Sequence, residues 1–565
     1  MPLMGSLYIG QSGLQTSQNL LNTTAHNMSN LDTTGYTRQQ SLLGDKEYTT
    51  IKFNGAGVSN QQIGLGVTYS KVRQVRDIFL DQTYRKESGR SMFYSTSYEV
   101  MTEVENILGE LYGITFSKSL GEDGGLQEAI DELAKTPSDS VVQGLVVQRA
   151  TAFLENAQAV YNGISDYQDN LNLKVKSQVD KINEYGKKIH DLNIQILKVE
   201  SGGIESANDL RDTRNLLLDE LSEMAKISYK EDVYGNVLVQ LEGHDFVSRD
   251  LVYEIGLDQD NTTGFYTPFW TVDASYTINS EGKKEYDIEG AEVFNLTQTV
   301  SSDLNTDIGG LKAILLARGD HRADYTDLQD KNQYNRDISQ SILMNVQAEF
   351  DQLIHQVTTG INKVLENAAD TETGYLCEQV EVDGQLVYRP IQLFQKRATD
   401  GFSYEKDNDG NITGVVYNEE DPENKETLYT TSNLMINPAL LKEPTLLGMV
   451  KPDGSEDYQT AAALLQTFKD EGMTLNPNLT TKLNYADYYS DLVGQISNSG
   501  SVFKKISESQ ADTVEATSAA REQIVGVSSD EELNNMIRFQ NAYNASSRYI
   551  NVINEMLEHL LNSLA

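Results

Sequence analysis

Residues 7–31 read LYIGQSGLQTSQNLLNTTAHNMSNL and contain no Asp, Glu, Lys or Arg, although these four types make up 23% of the chain. Apolar and small residues recur here in alternating steps of three and four, which is typical of a helix that packs against another helix. The residues of this seam are Leu7, Gly10, Leu14, Ser17, Leu21, Thr24, Met28 and Leu31. Solvent-facing helix surfaces normally carry charge, so we expect this helix to lie against neighbouring subunits.

The C-terminus repeats the same spacing. Its seam consists of Met536, Phe539, Tyr543, Ser546, Ile550, Ile553, Leu557, Leu560 and Leu564. We predict that residues 1–31 and 533–565 pair as two helices of one coiled-coil layer. We expect this pairing only after assembly, because Gly10, Ser17 and Thr24 offer too little apolar area to hold an isolated pair.

Composition bounds the class of protein. A chain of 565 residues is long enough for several domains, and its nine prolines suit long uninterrupted helices. The 45 basic and 84 acidic residues give a net charge of −39. Such a surface repels phosphate backbones and anionic lipids, so nucleic acids and membranes are poor candidate partners. No apolar run approaches the roughly 20 residues of a membrane span.

The chain has one cysteine, Cys377, so it cannot form an intrachain disulfide. Its N-terminus has neither a basic start nor a continuous apolar run, and we expect no cleavable secretion signal. The chain therefore either stays in the cytosol or leaves by a route that reads no such signal, and composition leaves both open.

Periodicity changes several times along the chain. Helical spacing continues from Ala150 to Lys226 with a break at residues 201–203, and from Ile227 a two-residue period begins with a hairpin around Gly235-Asn236. The order is helix, β insert, helix, β insert, helix. This order predicts an elongated, multidomain α+β protein, with a terminal coiled-coil layer and a long helical rod that carries two inserted β-rich outer domains.

We expect four units with the following limits. They are a terminal assembly unit (residues 1–70 and 505–565), a helical rod (71–226, 307–370 and 433–504), and two β-rich inserts (227–306 and 371–432).

The candidate sites for chemistry are weak. Residues 405–412 resemble the start of a calcium-binding loop, but Val416 stands where a bidentate Glu is needed, so we favour a hairpin turn. Tyr253, Phe265, Tyr266, Phe269, Trp270 and Tyr276 could form a carbohydrate platform, but packing is the better interpretation. No two histidines have the spacing of a helical zinc pair. We expect no enzyme, metal site or cofactor; a hydrolase with two carboxylates in a β insert stays as an alternative.

Residues 25–38 carry a resemblance to a known family. Their sequence, AHNMSNLDTTGYTR, is similar to the N-terminal signature of bacterial flagellar rod, hook and hook-associated proteins, and residues 76–80, 527–533 and 538–550 resemble further segments of that family. The motif residues are Asn27, Asn30, Gly35, Tyr36, Thr37 and Arg38. The Gly-Tyr-Thr-Arg ending is similar to the form found in members of the hook–filament junction.

The resemblance implies a structural subunit of the flagellum, located outside the cell after unfolded export through the flagellar channel. It implies a ring of copies between hook and filament, with the terminal helices in an inner tube and the inserts outward. The implied partners are further copies of the chain, hook protein on one side, a second junction protein or the filament on the other, and an export chaperone on the C-terminal helix. A secreted adhesin or filament subunit is the alternative closest in kind.

Overall fold

The computed structural model describes residues 2–53, 60–109, 115–121, 123–203, 205–278, 284–407 and 411–564. The helices are α1 (Pro2–Ser29), α2 (Ile78–Leu108), α3 (Phe116–Leu120), α4 (Leu126–Lys135), α5 (Ser140–Glu200), α6 (Asn208–Met224), α7 (Gly310–Arg318), α8 (Lys331–Gln333), α9 (Ile342–Ala368), α10 (Pro438–Lys442), α11 (Tyr458–Lys469), α12 (Tyr485–Val525) and α13 (Ser529–Leu564).

Seventeen strands lie between these helices in the described part of the chain. They are β1 (Gln39–Asp45), β2 (Thr49–Phe53), β3 (Asn60–Ile63), β4 (Val67–Gln74), β5 (Ile227–Glu231), β6 (Val237–Leu241), β7 (His244–Val247), β8 (Ile255–Gln259), β9 (Tyr266–Trp270), β10 (Ser275–Ile278), β11 (Lys284–Asp287), β12 (Cys377–Val382), β13 (Gln385–Pro390), β14 (Phe394–Lys396), β15 (Phe402–Lys406), β16 (Ile412–Tyr417) and β17 (Leu434–Ile436).

A long helical rod forms the body of the molecule. Its spine is α5, whose 61 residues make a helix of about 90 Å at 1.5 Å per residue. Asp139 caps its first turn by accepting a hydrogen bond from the Val141 amide, 2.8 Å away. One face of α5 is buried against α4, α6, α7 and α9 along nearly its whole length, from Gln143 to Ile196. The predicted break after α5 is confirmed, since α6 begins only at Asn208.

Helix α7 lies at the centre of the rod, and all nine of its residues are buried. Gly309 precedes it with a φ of 98°, and a Cβ there would lie 2.7 Å from the Cα of Ala225. Glycine is therefore required at this position both for the backbone conformation and for the close approach of the chain to the end of α6.

The first β-rich insert contains the three-stranded antiparallel sheet β5–β6–β7 and the pairs β8–β9 and β10–β11. The predicted hairpin forms, with Tyr229 opposite Val239. Phe265, Phe269 and Trp270 are 2–3% exposed, and Trp270 stacks on the His244 ring at 4.3 Å. The packing interpretation is confirmed for these three aromatic residues.

The second β-rich region contains the antiparallel pairs β12–β13, β14–β17 and β15–β16, and β17 lies just beyond the predicted limit at residue 432. In the last of these, Tyr404 lies opposite Val415. The tip of this hairpin, residues 408–410, lies outside the described residues, and so does the central part of the calcium-loop resemblance.

A smaller layer joins the two ends of the chain beside the rod. Helix α1 packs against α13 and against the antiparallel pair β1–β4. The predicted fold class is confirmed: the protein is α+β and multidomain, with a terminal helical layer, a helical rod and small antiparallel sheets. None of the helices in the described ranges is both long enough and apolar enough to cross a membrane.

Candidate assembly interface

Helices α1 and α13 run antiparallel and are in close contact at two glycines. A Cβ on Gly10 would lie 2.7 Å from Cγ1 of Ile550, and one on Gly13 would lie 2.8 Å from Oγ of Ser546. Residue numbers rise along α1 as they fall along α13, which fixes the antiparallel direction. The small side chains in the seam therefore allow the two backbones to approach each other.

The structure brings most of the predicted seam residues into the layer. Gly10, Ser17 and Thr24 are buried, and Ile553 is 5% exposed. The half-buried members are Leu7, Leu14, Leu21, Met28, Met536, Phe539, Tyr543, Ile550 and Leu557. Leu31 lies beyond the end of α1 and is 43% exposed, Leu560 is 47% exposed, and the side chain of Leu564 lies outside the described part of the chain.

A second side of α1 is held by polar contacts to the β1–β4 pair. The Asn27 side chain donates to the carbonyl of Gln39 at 2.9 Å and accepts from its amide at 3.0 Å. Ser12, 6% exposed, accepts from the amide of Val67 at 3.3 Å. Asn27 and Ser12 thus have partners although they are buried, and α1 is held between a helix and a strand pair without charged groups.

The motif residues close the end of α1 and direct the chain away from it. Asn30 donates from its side chain to the His26 carbonyl at 2.9 Å, in the last turn. The Tyr36 hydroxyl donates to the Asn27 side chain at 2.8 Å, and burial raises the pKa of this phenol far above its ordinary value. Gly35 has a φ of 78°, which permits the tight turn that brings Tyr36 back onto α1.

Thr37 and Arg38 tie this loop to the rod and to α13. The Thr37 amide donates to Asp212 on α6 at 3.2 Å, and burial raises the pKa of that carboxyl to about 6. Arg38 binds Glu531 at 2.8 Å and Glu532 at 2.9 Å in the first turn of α13. The last two motif residues therefore form a joint between the terminal layer and the rod.

A buried charge network reinforces this joint. Arg521 of α12 binds Asp81 of α2 at 2.9 Å and Asp219 of α6 at 2.7 Å. Arg76 also binds Asp81 at 2.9 Å, and Arg85 binds Asp219 at 2.7 Å. Three guanidinium groups thus share two carboxylates and hold three helices together. Sequence reasoning missed this network because Arg521 lies at least 302 residues along the chain from each of its two aspartates, with no motif around them.

The contacts of these residues are packing contacts, hydrogen bonds and ion pairs. Within the described residues, no group of three or more His, Cys, Asp or Glu side chains could hold a metal ion. Cys377 is buried and has no cysteine to pair with. The interface joins helices, a strand pair and a charged joint.

Comparisons with known proteins agree with this arrangement. The family model described as the flagellar hook-associated protein FlgK helical domain matches residues 101–376. The models for the flagellar basal body rod FlgEFG protein C-terminal region and for flagella basal body rod proteins match residues 523–564 and 7–37. The terminal matches coincide with α13 and with the segment from α1 to the joint.

Relatives extend the match over the whole chain. Flagellar hook-associated protein 1 of Bacillus subtilis is 26% identical over 99% of both chains, and that of Escherichia coli K12 is 23% identical over 98% of both. The flagellar hook junction protein FlgK from Burkholderia pseudomallei shares the fold with a TM-score of 0.51 and 13% identity, over 78% of this chain and 99% of that one.

The paired terminal helices and their joint thus define an axial protein of the bacterial flagellum. Within that class, the chain is similar over nearly its whole length to flagellar hook-associated protein 1 of several bacteria. It is a structural component of the flagellum and not an enzyme, so the hydrolase alternative is wrong.

Proposed function

We propose that the chain is a subunit of the junction between hook and filament, where copies form a ring through α1 and α13. Hook protein lies on one side of this ring, and a second junction protein or the filament lies on the other. The observation that carries the proposal is the uncharged α1, which packs antiparallel on α13 while both helices keep an open outer face.

The outer face of α13 supports a role in assembly. Ile537, Val552 and Met556 are 46–52% exposed, although α13 already buries another face against α1. Tyr8 on α1 is 58% exposed, among uncharged neighbours. Helices with apolar side chains on both faces are stable in water only when both faces are covered. Neighbouring copies would cover these outer faces in the ring, and we propose that the pair becomes fully ordered only there.

The four sequence units fit the same proposal. The terminal unit of residues 1–70 and 505–565 forms the inner tube, and the β-rich inserts at 227–306 and 371–432 face outward. Helix α12 crosses residue 505 without a break, so the rod and the terminal unit share it.

Export through the flagellar channel follows from the same role. We propose that the chain travels unfolded without a cleaved signal and acts outside the cell. An export chaperone would cover α13 in the cytosol, where its exposed apolar residues would otherwise promote aggregation.

Deletion of the coding region, followed by electron microscopy of the cells, tests the proposed function. We expect hooks without filaments, and filament protein lost to the medium. Complementation with the full-length chain should restore filaments, which controls for effects on neighbouring genes. Normal filaments in the deletion strain would refute the junction role.

A further inference from the structure

A cleft of about 380 Å³ opens between α2, the end of α6 and β5. Arg85, Lys86 and Lys226 line it, and no acidic residue is among its described lining residues. A positive cleft is unexpected on a chain with a net charge of −39. Its charge therefore calls for an anionic partner.

The base of the cleft contains hydrogen-bond donors that have no acceptor. The Arg85 side chain is 3% exposed, and its Nε binds Asp219 at 2.7 Å while its guanidinium stacks on the Tyr229 ring at 4.4 Å. Its Nη1 is buried without a hydrogen-bond partner, and so is the Tyr229 hydroxyl. Buried donors without an acceptor are unfavourable in the isolated chain, and a carboxylate that reached them would supply the missing hydrogen bonds.

A second cleft, of about 570 Å³, adjoins the first through Gln82 and Tyr229. It is lined by Lys71, Arg73 and Lys230, and none of these three forms an ion pair with another described residue. We call the cations of the two clefts the basic seam. Its members are Lys71, Arg73, Arg85, Lys86, Lys226 and Lys230.

The acids that line the second cleft are already engaged within the chain. Arg211 binds both Glu200 and Glu231, and Arg76 binds Asp81. Lys71, Arg73 and Lys230 therefore have no ion-pair partner among the described residues, and a second molecule would supply their counter-charges.

The same chain presents a matching anionic surface. Glu508, Asp512, Glu515 and Glu522 follow each other on α12 in steps of four, three and seven, which places them on one helix face. All four are exposed, and none forms an ion pair with another described residue. We call them the acidic stripe, which spans about 21 Å at 1.5 Å per residue.

The two surfaces lie at one level of the rod and on different sides of it. Arg521, which binds Asp81, marks the level at which α12 passes the first turns of α2. The basic seam lies at this level on the α6 side of α2, and the acidic stripe lies on the exposed face of α12. Two different complementary patches on one subunit favour a heterologous contact, which closes into a ring when the rotation permits.

We propose that the basic seam of one copy receives the acidic stripe on α12 of the next copy. The proposal rests on the proposed ring and names the lateral contact between its rods. Carboxylates of the stripe enter the first cleft and accept hydrogen bonds from the unsatisfied donors at its base. Charge complementarity of this kind fixes the register of neighbours and excludes wrong orientations.

Paired charge reversal tests the contact. The full-length chain is incubated with isolated hooks at about 0.1 M salt, where the Debye length is about 10 Å, and the incorporated protein is measured after sedimentation. Lys86→Glu with Lys226→Glu, or Asp512→Lys with Glu515→Lys, should lower incorporation at least about tenfold. The chain that carries all four changes should regain most of it, because the complementary charges are then restored in exchanged positions.

The controls separate this contact from folding and from net charge. The first control is Lys469→Glu with Lys482→Glu, because both lysines are exposed and lie elsewhere on the rod. This pair alters the net charge by the same amount as the reversal in the basic seam, and it should incorporate as the wild type does. Thermal melting checks that each variant is folded. If wild type incorporates and single-surface reversals do too, or if the four-change chain is not rescued, the lateral contact is refuted while the ring stands. If folded wild type never incorporates, both proposals fall.

Discussion

Replacement of Gly10 by valine tests the terminal pair directly. A Cβ at this position would meet Cγ1 of Ile550 at 2.7 Å and Cδ1 of Tyr549 at 3.1 Å. Ordinary carbon contacts lie at about 3.5–4.0 Å, so the first contact is roughly 1 Å too short. Cγ1 lies within the Ile550 side chain rather than at its end. The helices must therefore separate.

The two opposing effects of this substitution can be estimated. Overpacking by extra methyl groups costs about 1–3 kcal/mol, and the three added carbons place Gly10→Val in the upper part of that range. Valine forms helix better than glycine by only about 0.3 kcal/mol. The net loss of about 2 kcal/mol corresponds to roughly a 30-fold weaker pairing equilibrium.

The assay for this prediction combines incorporation onto isolated hooks with amide exchange along α1 in the incorporated protein. Gly494→Val is the matched control, because Gly494 also lies inside a helix but is exposed, with nothing within 4 Å of its added Cβ. The free energy of unfolding of that variant should differ from that of wild type by no more than about 0.5 kcal/mol, and the variant should incorporate normally. Normal incorporation of Gly10→Val, with unchanged exchange in α1, would refute the close helix contact.

Three further predictions concern α13, the joint and the rod. Leu557→Asp places a carboxylate in the seam and should abolish incorporation without lowering the monomer melting temperature, whereas Glu555→Asp on the exposed face should have little effect. A lower melting temperature of Leu557→Asp with normal incorporation would contradict assembly-dependent pairing. Arg521→Met leaves each of its two aspartates with one arginine, so thermal unfolding should show a loss of about 1–3 kcal/mol rather than the 3–5 of an uncompensated buried charge. Burial raises the pKa of Glu349 to about 7 from 4.5, so denaturant unfolding should show stability falling as pH rises from 4.5 to 7, and Glu349→Gln should flatten this slope.

The helical framework could be predicted because its signals are local. The three-four spacing defines α1 and α13, and the glycines at residues 202–203 mark the end of α5. The spacing alone could not show where a helix ends. The three-four spacing continues to Leu31, but α1 ends at Ser29, and the chain then turns toward Gly35.

The contacts that orient the terminal layer could not be predicted in the same way. Asp212 and Arg521 look like ordinary surface charges in sequence, and only folding brings them to Thr37 and Asp81. Ser12 binds a strand amide, but nothing in the sequence around it distinguishes it from a serine that faces solvent. A long-range polar contact leaves no local periodicity, so the structure was needed to find it.

The terminal layer separates specificity from affinity. Its internal position is fixed by directional contacts, such as the two hydrogen bonds of Asn27 with Gln39 and the ion pairs of Arg38, all of which are complete within one chain. The exposed apolar residues of α13 have no such partners in the described structure, and they are free to bury non-directional area against neighbours. Helix α12 joins this layer to the rod without a break before Gly526. A neighbouring copy that holds α13 in place would therefore also set the axial position of the rod relative to its own. The charged surfaces of the rod would then need to set only the rotation between copies, because complementary charges fix register and exclude wrong orientations.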